Sequence, residues 1–234
     1  MSASSAKKGS FSLKVPEGMH VAVVGLGGTG CSVSQMLVRI GLAHLSLIDP
    51  DSVSRSNIGR QICYAERDIG RPKAETCREF LSRISPGCEI EFSDDLVTDS
   101  NAERVIGKPD ILFDCTDNVR SRLNLNRYSV RKRITEIFVS SAYNSAQVKG
   151  IIPGITSCLE CFANESILAN TPCSFGDVAE TMPVIAGLLG VNLMFSIISN
   201  NYNGEIITLN GKEYTAEKVR IDRNPECRTC GDLR

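Results

Sequence analysis

A short apolar run over 20–24 closes on Gly25-Leu26-Gly27-Gly28-Thr29-Gly30, after which 31–40 carries apolar residues at helical spacing. Strand, glycine turn and helix in that order match the G-x-G-x-x-G pattern in the context it requires. The glycines let backbone approach phosphate, and the helix N-terminus adds unpaired N–H groups and positive dipole. The next apolar run, 45–48, ends in Asp49. A right-handed crossover makes the two strands a parallel pair. It also puts Asp49 where ribose hydroxyls are bound. This unit alone suits a nicotinamide or flavin dinucleotide as well as ATP.

The alternation continues, with helices expected at 73–83, 100–106 and 120–131 and strands at 88–92, 110–114 and 134–140. After Ser140 the pieces become short and extended, at 147–152, 205–209 and 218–221, around one apolar helix at 183–199. The expected fold class is α/β, a doubly wound, Rossmann-like, mostly parallel sheet extended by antiparallel strands. Residues 1–18, rich in Ser, Ala, Lys and Gly, read as a flexible arm, and 19–234 as one domain. With 26 Lys+Arg against 27 Asp+Glu, no global field draws the chain to nucleic acid or an anionic membrane. No stretch reads as a membrane span or signal peptide, so a cytoplasmic location is expected.

A dehydrogenase has no need of the polar stretch that follows Asp49, whereas a triphosphate needs donors around its outer phosphates. Asn57, Arg60, Gln61 and Lys73 stand there, Lys73 just after Pro72 at an expected helix start. Asp114-Cys115-Thr116-Asp117-Asn118 ends the strand at 110–114. Asp117 offers the hard oxygen that Mg²⁺ takes, with helix capping as the structural alternative.

The motifs GLGGTG, Asp49-Pro50-Asp51, Ser56-Asn57-x-x-Arg60-Gln61, Gly70-Arg71-Pro72-Lys73 and Asp114-Cys-Thr-Asp117-Asn118 occur in the order and approximate spacing of the ThiF/MoeB superfamily. The chain resembles this adenylating core, shared with ubiquitin-activating enzymes, from about residue 19 to 232. The resemblance implies ATP binding by Gly25, Gly27, Gly28, Gly30 and Asp49, with phosphate contacts from Asn57, Arg60 and Lys73. It puts magnesium and catalysis at Asp117, and brings Arg122 into question as a further nucleotide contact or a surface charge. The implied reaction is adenylation of the C-terminal carboxylate of a small ubiquitin-like or sulfur-carrier protein ending in Gly-Gly. It also implies a homodimer. Bacterial relatives begin with an arginine that crosses to the partner subunit's ATP, and this chain has Lys7, Lys8 and Lys14 in that region. A superfamily ligase acting on an ordinary peptide would share every ATP residue. A binding subunit without catalysis would be expected to lose some of them. An NAD-dependent oxidoreductase would leave Arg60, Lys73 and Asp117 unexplained.

Ten cysteines in an intracellular chain read as metal ligands, reactive thiols or buried side chains. Cys158-x-x-Cys161 and Cys227-x-x-Cys230 form two knuckles of the kind that give four thiolates to a structural zinc, with a redox pair as the alternative. Cys31 and Cys115 read as inert core thiols. Cys173 falls in the loop where relatives hold an acceptor cysteine that takes the carrier as a thioester or through sulfur. Cys63, in a polar segment near the nucleotide motifs, is the fallback.

Overall fold

The structure, a computed structural model, describes residues 14–163 and 180–233. Its frame is an eight-stranded sheet in the order β3-β2-β1-β4-β5-β6-β7-β8. Strands β1 (His20–Val24), β2 (His44–Ile48), β3 (Glu89–Ser93), β4 (Ile111–Asp114) and β5 (Thr135–Ala142) run parallel. Strands β6 (Ser145–Ile151), β7 (Glu205–Asn210) and β8 (Thr215–Arg220) extend the sheet antiparallel. The expected α/β class is therefore the observed one.

Burial explains the strand sequences. Val21 and Val23 lie in one core with Leu45 and Leu47, while Ala22, Val24 and Ile48 lie in another on the opposite face. Strands covered on both faces need continuous apolar runs rather than alternation. Helices α1 (Gly28–Arg39), α2 (Lys73–Ile84) and α5 (Met182–Ile198) cover the first face. Helices α3 (Ala102–Ile106) and α4 (Val119–Lys132) cover the second. Helix α5 is apolar nearly all round because it lies against α1, β5 and β6. Ile185 and Leu188 still face outward.

Two expected starts move by three residues. Helix α1 begins at Gly28, inside the glycine motif, so the first turn of the helix is part of the loop. Strand β8 begins at Thr215 rather than 218, because it pairs with β7 from Asn210↔Thr215 and none of its residues is buried. Val15 packs against the core at the edge of the expected arm. Among the described residues no helix is long and apolar enough to cross a membrane.

Candidate functional site

Strand order reverses at β1, whose neighbours are β2 and β4. Loops from the carboxyl ends of strands on either side of such a point part and leave a crevice. A cavity of about 600 Å³ lies there, within the range of small-ligand sites.

The glycine turn forms its floor. Gly25 has φ +89°, and a Cβ there would meet the Cys115 carbonyl oxygen at 2.7 Å. The turn is thus pressed against the loop after β4. Gly30 packs under it against the Gly25 carbonyl and does not line the cavity. Gly27 is the N-cap of α1, without a side-chain cap, and it lines the cavity with Gly28 and Gly25. The helix therefore offers its first amide groups to whatever enters.

Asp49 is buried at the end of β2. Its oxygens accept from the Leu26 amide at 2.6 Å and the Asp51 amide at 2.8 Å. Burial raises its pKa above the ordinary carboxylate value, while Lys73 and these two amides oppose the shift. Lys73, the first residue of α2, is itself buried and lines the cavity. Its ammonium lies 2.8 Å from Asp51 Oδ2 and 4.0 Å from Asp49 Oδ1. Pro72 takes the N-cap position. The Tyr64 hydroxyl donates to the Leu26 carbonyl at 3.0 Å and approaches the Lys73 carbonyl at 3.4 Å, tying glycine turn to helix.

The segment after β2 adds further lining residues. Asn57 closes a 3-10 turn (Arg55–Asn57) by accepting from the Ser54 amide at 3.1 Å. Arg60 donates to the Ser56 carbonyl at 2.8 Å. Gln61 is buried, and its Oε1 has no hydrogen-bond partner among the described residues. All three line the cavity.

Asp117 is exposed on the cavity wall. Capping of α4 falls to the next residue: Asn118 Oδ1 accepts from the Ser121 amide at 2.9 Å. The loop that carries Asp117 is held from below. Asp114 accepts from the Thr116 amide at 2.9 Å and hydroxyl at 2.6 Å. Arg122 donates to the Thr116 carbonyl through Nε at 3.1 Å and Nη2 at 2.9 Å, and to the Ser140 hydroxyl at 3.1 Å. It lies over the Phe138 ring at 5.1 Å. Arg122 is thus a buried brace of this loop rather than a surface charge.

Nine residues singled out in the sequence thus meet in one cavity: Gly25, Gly27, Gly28, Asp49, Asn57, Arg60, Gln61, Lys73 and Asp117. Leu96, Val97, Ser141 and Pro183 complete the walls. Sequence reading missed them. Leu96 and Val97 follow a strand of the parallel sheet, and that position was the available signal.

The four expected metal ligands also meet. Cys158 Sγ lies 3.9 Å from Cys161 Sγ and 3.6 Å from Cys227 Sγ, and Cys161 Sγ lies 3.4 Å from Cys230 Sγ. All four sulfurs fall within 4.8 Å of one another. Sulfurs about 2.3 Å from a tetrahedral zinc stand about 3.8 Å apart, so the donor set fits that ion. Burial pushes the Cys161 thiol up to about 11 and raises Cys158 further, a cost that a bound cation would offset. Glu160, between the first pair, receives Arg127 at 2.8 Å, Asn126 at 3.2 Å and the Thr229 hydroxyl.

Cys31 and Cys115 are buried, as expected of core thiols. Cys63 is not an accessible thiol: it is buried, its Sγ 3.6 Å from the Cys31 carbonyl. Glu66 and Arg67 of the same segment are exposed, whereas Cys63 lies in the core with Tyr64. Cys173 lies outside the described residues.

The ThiF family model matches residues 10–229. The molybdopterin-synthase adenylyltransferase of Escherichia coli (strain K12) is 32% identical over 222 residues, 91% of this chain and 87% of that protein. Adenylyltransferase and sulfurtransferase MOCS3 of Drosophila persimilis is also 32% identical, but the match spans 48% of its length. The SAMP-activating enzyme E1 of Haloferax volcanii is 27% identical over 91% of this chain and 80% of its own. The crystal structure of E. coli MccB with ATP superposes with a TM-score of 0.79 at 24% identity, covering 92% of this chain and 66% of that one. Family model and curated relatives agree with the motifs and the fold, and the chain belongs to the ThiF family.

Proposed function

We propose that this protein adenylates the C-terminal carboxylate of a small ubiquitin-like or sulfur-carrier protein with ATP, releasing pyrophosphate. The observation that carries the reading is the meeting of Asn57, Arg60, Lys73 and Asp117 around the glycine turn at one end of the parallel sheet. A nucleotide bound at a dehydrogenase site needs the turn and Asp49 alone.

Backbone amides at Gly27 and Gly28 receive phosphate oxygens, and Asp49 receives the ribose hydroxyls on the lone pairs left by its two amide partners. Lys73, held by Asp51, presents a fixed ammonium, and Arg60 with Asn57 supplies further donors. Asp117 is free to serve as a metal ligand because Asn118 does the capping. Mg²⁺ held there would screen the triphosphate and stabilise the charge that develops on leaving pyrophosphate. The carrier carboxylate then attacks the α-phosphorus, forming the acyl–phosphate bond as the bond to pyrophosphate breaks. The residues do this by positioning and charge. Cys158, Cys161, Cys227 and Cys230 would hold zinc as a structural ion, their four thiolates filling a tetrahedral set. Cys173 is proposed to receive the activated carrier. We place the enzyme in the cytoplasm as a homodimer.

Label from α-³²P-ATP should appear on a Gly-Gly-ending carrier from the same source, and γ-label should not. MccB has been crystallised with the peptide MccA, and its fold is this one, so peptide adenylation is the second reading. Labelling of an unstructured peptide but of no folded carrier would favour that reading.

A further inference from the structure

Strand β6 carries a charged side chain into the interior. Lys149 faces Phe138 across the β5–β6 pairing and is 0% exposed. Its ammonium donates to the Gly204 carbonyl at 2.8 Å and lies 5.7 Å from the centre of the Phe162 ring. Phe162 directly follows Cys161, and Gly204 directly precedes β7. Lys149 therefore stands between the cysteine knuckle and the start of β7.

Among the described residues no carboxylate forms an ion pair with this ammonium. The groups whose ionised forms favour its charge are, in order, Cys161, Cys158 and Glu205. Burial lowers its pKa to about 8, with those groups opposing the shift. A buried ammonium without a counter-charge is costly. Four thiolates around one divalent cation carry the complementary excess, a net charge of about −2. Each group supplies what the other lacks.

We propose that the Lys149 ammonium is the counter-charge of the tetrathiolate metal centre, a positioning residue that retains the ion and fixes the knuckle against β6. The proposal rests on the zinc reading above. Polar and charged groups around metal ligands tune affinity in this way, and their loss weakens binding about 10- to 100-fold.

The test is zinc transfer from the purified full chain to a chromogenic pyridylazo chelator, with melting of the metal-free proteins measured alongside. Lys149→Met removes charge and donor, whereas Lys149→Gln removes the charge but keeps an amide for the Gly204 carbonyl. Both should lose zinc about tenfold faster than the wild type, with the metal-free Gln protein melting close to the metal-free wild type. Release within about twofold of wild type in both variants overturns the proposal. So does fast release from the Met protein alone, because the donor and not the charge would then matter. A Met variant that does not fold leaves the decision with Gln, which is no larger than lysine. A wild-type chain without zinc rejects the zinc reading itself, a result distinct from either variant's behaviour.

Discussion

Asp117 is the residue on which the proposed chemistry turns, and its surroundings make it separable from the fold. Its side chain is exposed, and Asn118 rather than Asp117 caps α4. Asp117→Ala should therefore lower pyrophosphate exchange by roughly 100-fold or more, while unfolding free energy stays within about 0.5 kcal/mol of wild type. Near-normal exchange would remove Asp117 from the site. Glu136 makes the opposite case. It is fully buried, one oxygen has no hydrogen-bond partner among the described residues, and the other accepts from the Ser129 hydroxyl. Burial first, and then the Asp114 carboxylate, hold its pKa well above the ordinary value. Because the folded value is the higher one, its contribution to stability is complete below the unfolded value of about 4.3 and is lost as pH rises toward the folded value. Glu136→Gln mimics the neutral acid. The variant should match wild type near the unfolded value and gain on it as pH increases, which denaturant titrations across that range would show. Parallel curves would mean that Glu136 is already ionised in the fold. These residues also mark what the sequence could express. Asp49, Lys73 and Asp117 were legible because each sits at the end of a strand or start of a helix whose pattern was clear. Arg122, Glu136 and Lys149 were not, because a charged residue looks like solvent-facing surface until Phe138, Ser129 or Phe162 is seen to cover it.

Among the elements, the buried parallel strands could be read closely and the solvent-exposed ones poorly. β1 and β4 carry apolar residues on both faces, so their runs stand out against the loops. β8 has no buried residue, and nothing in Thr215–Arg220 sets its register except pairing to β7. The glycines hid the start of α1, since a G-x-G-x-x-G stretch reads as turn while its last residues already form helix. The knuckles were legible from spacing alone, although only folding shows that Arg223 clamps the tail, donating to Gly154 at 2.9 Å and to Cys230 and Leu233 at 2.6 Å. Zinc analysis should find about one ion per chain. Cys227→Ser should cost about 4 kcal/mol, the linkage expected from a ligand present at a thousand times its Kd. Exchange by the protein that remains folded should change much less, since the knuckle lines no part of the cavity. Full stability without metal would show that the four thiols have another purpose.

At the scale of the whole molecule, the parallel strands end in the cavity, and the antiparallel extension leads into the knuckle, which packs on α4 and β5. Ile185 and Leu188 on α5 stay exposed although the helix is otherwise apolar and packed, which favours a second copy covering that face. A dimer mass by light scattering at micromolar concentration is expected, and a monomer would remove that part of the account. The central claim concerns a carboxylate, ATP and a reversible bond, and one measurement reads all three. Purified chain with Mg·ATP and labelled pyrophosphate should return label to ATP only when a Gly-Gly-ending carrier is present, and not when the carrier's C-terminal carboxylate is amidated. Exchange that ignores the carrier's carboxylate, or reduction of NAD or NADP with no exchange for any carrier, would contradict it.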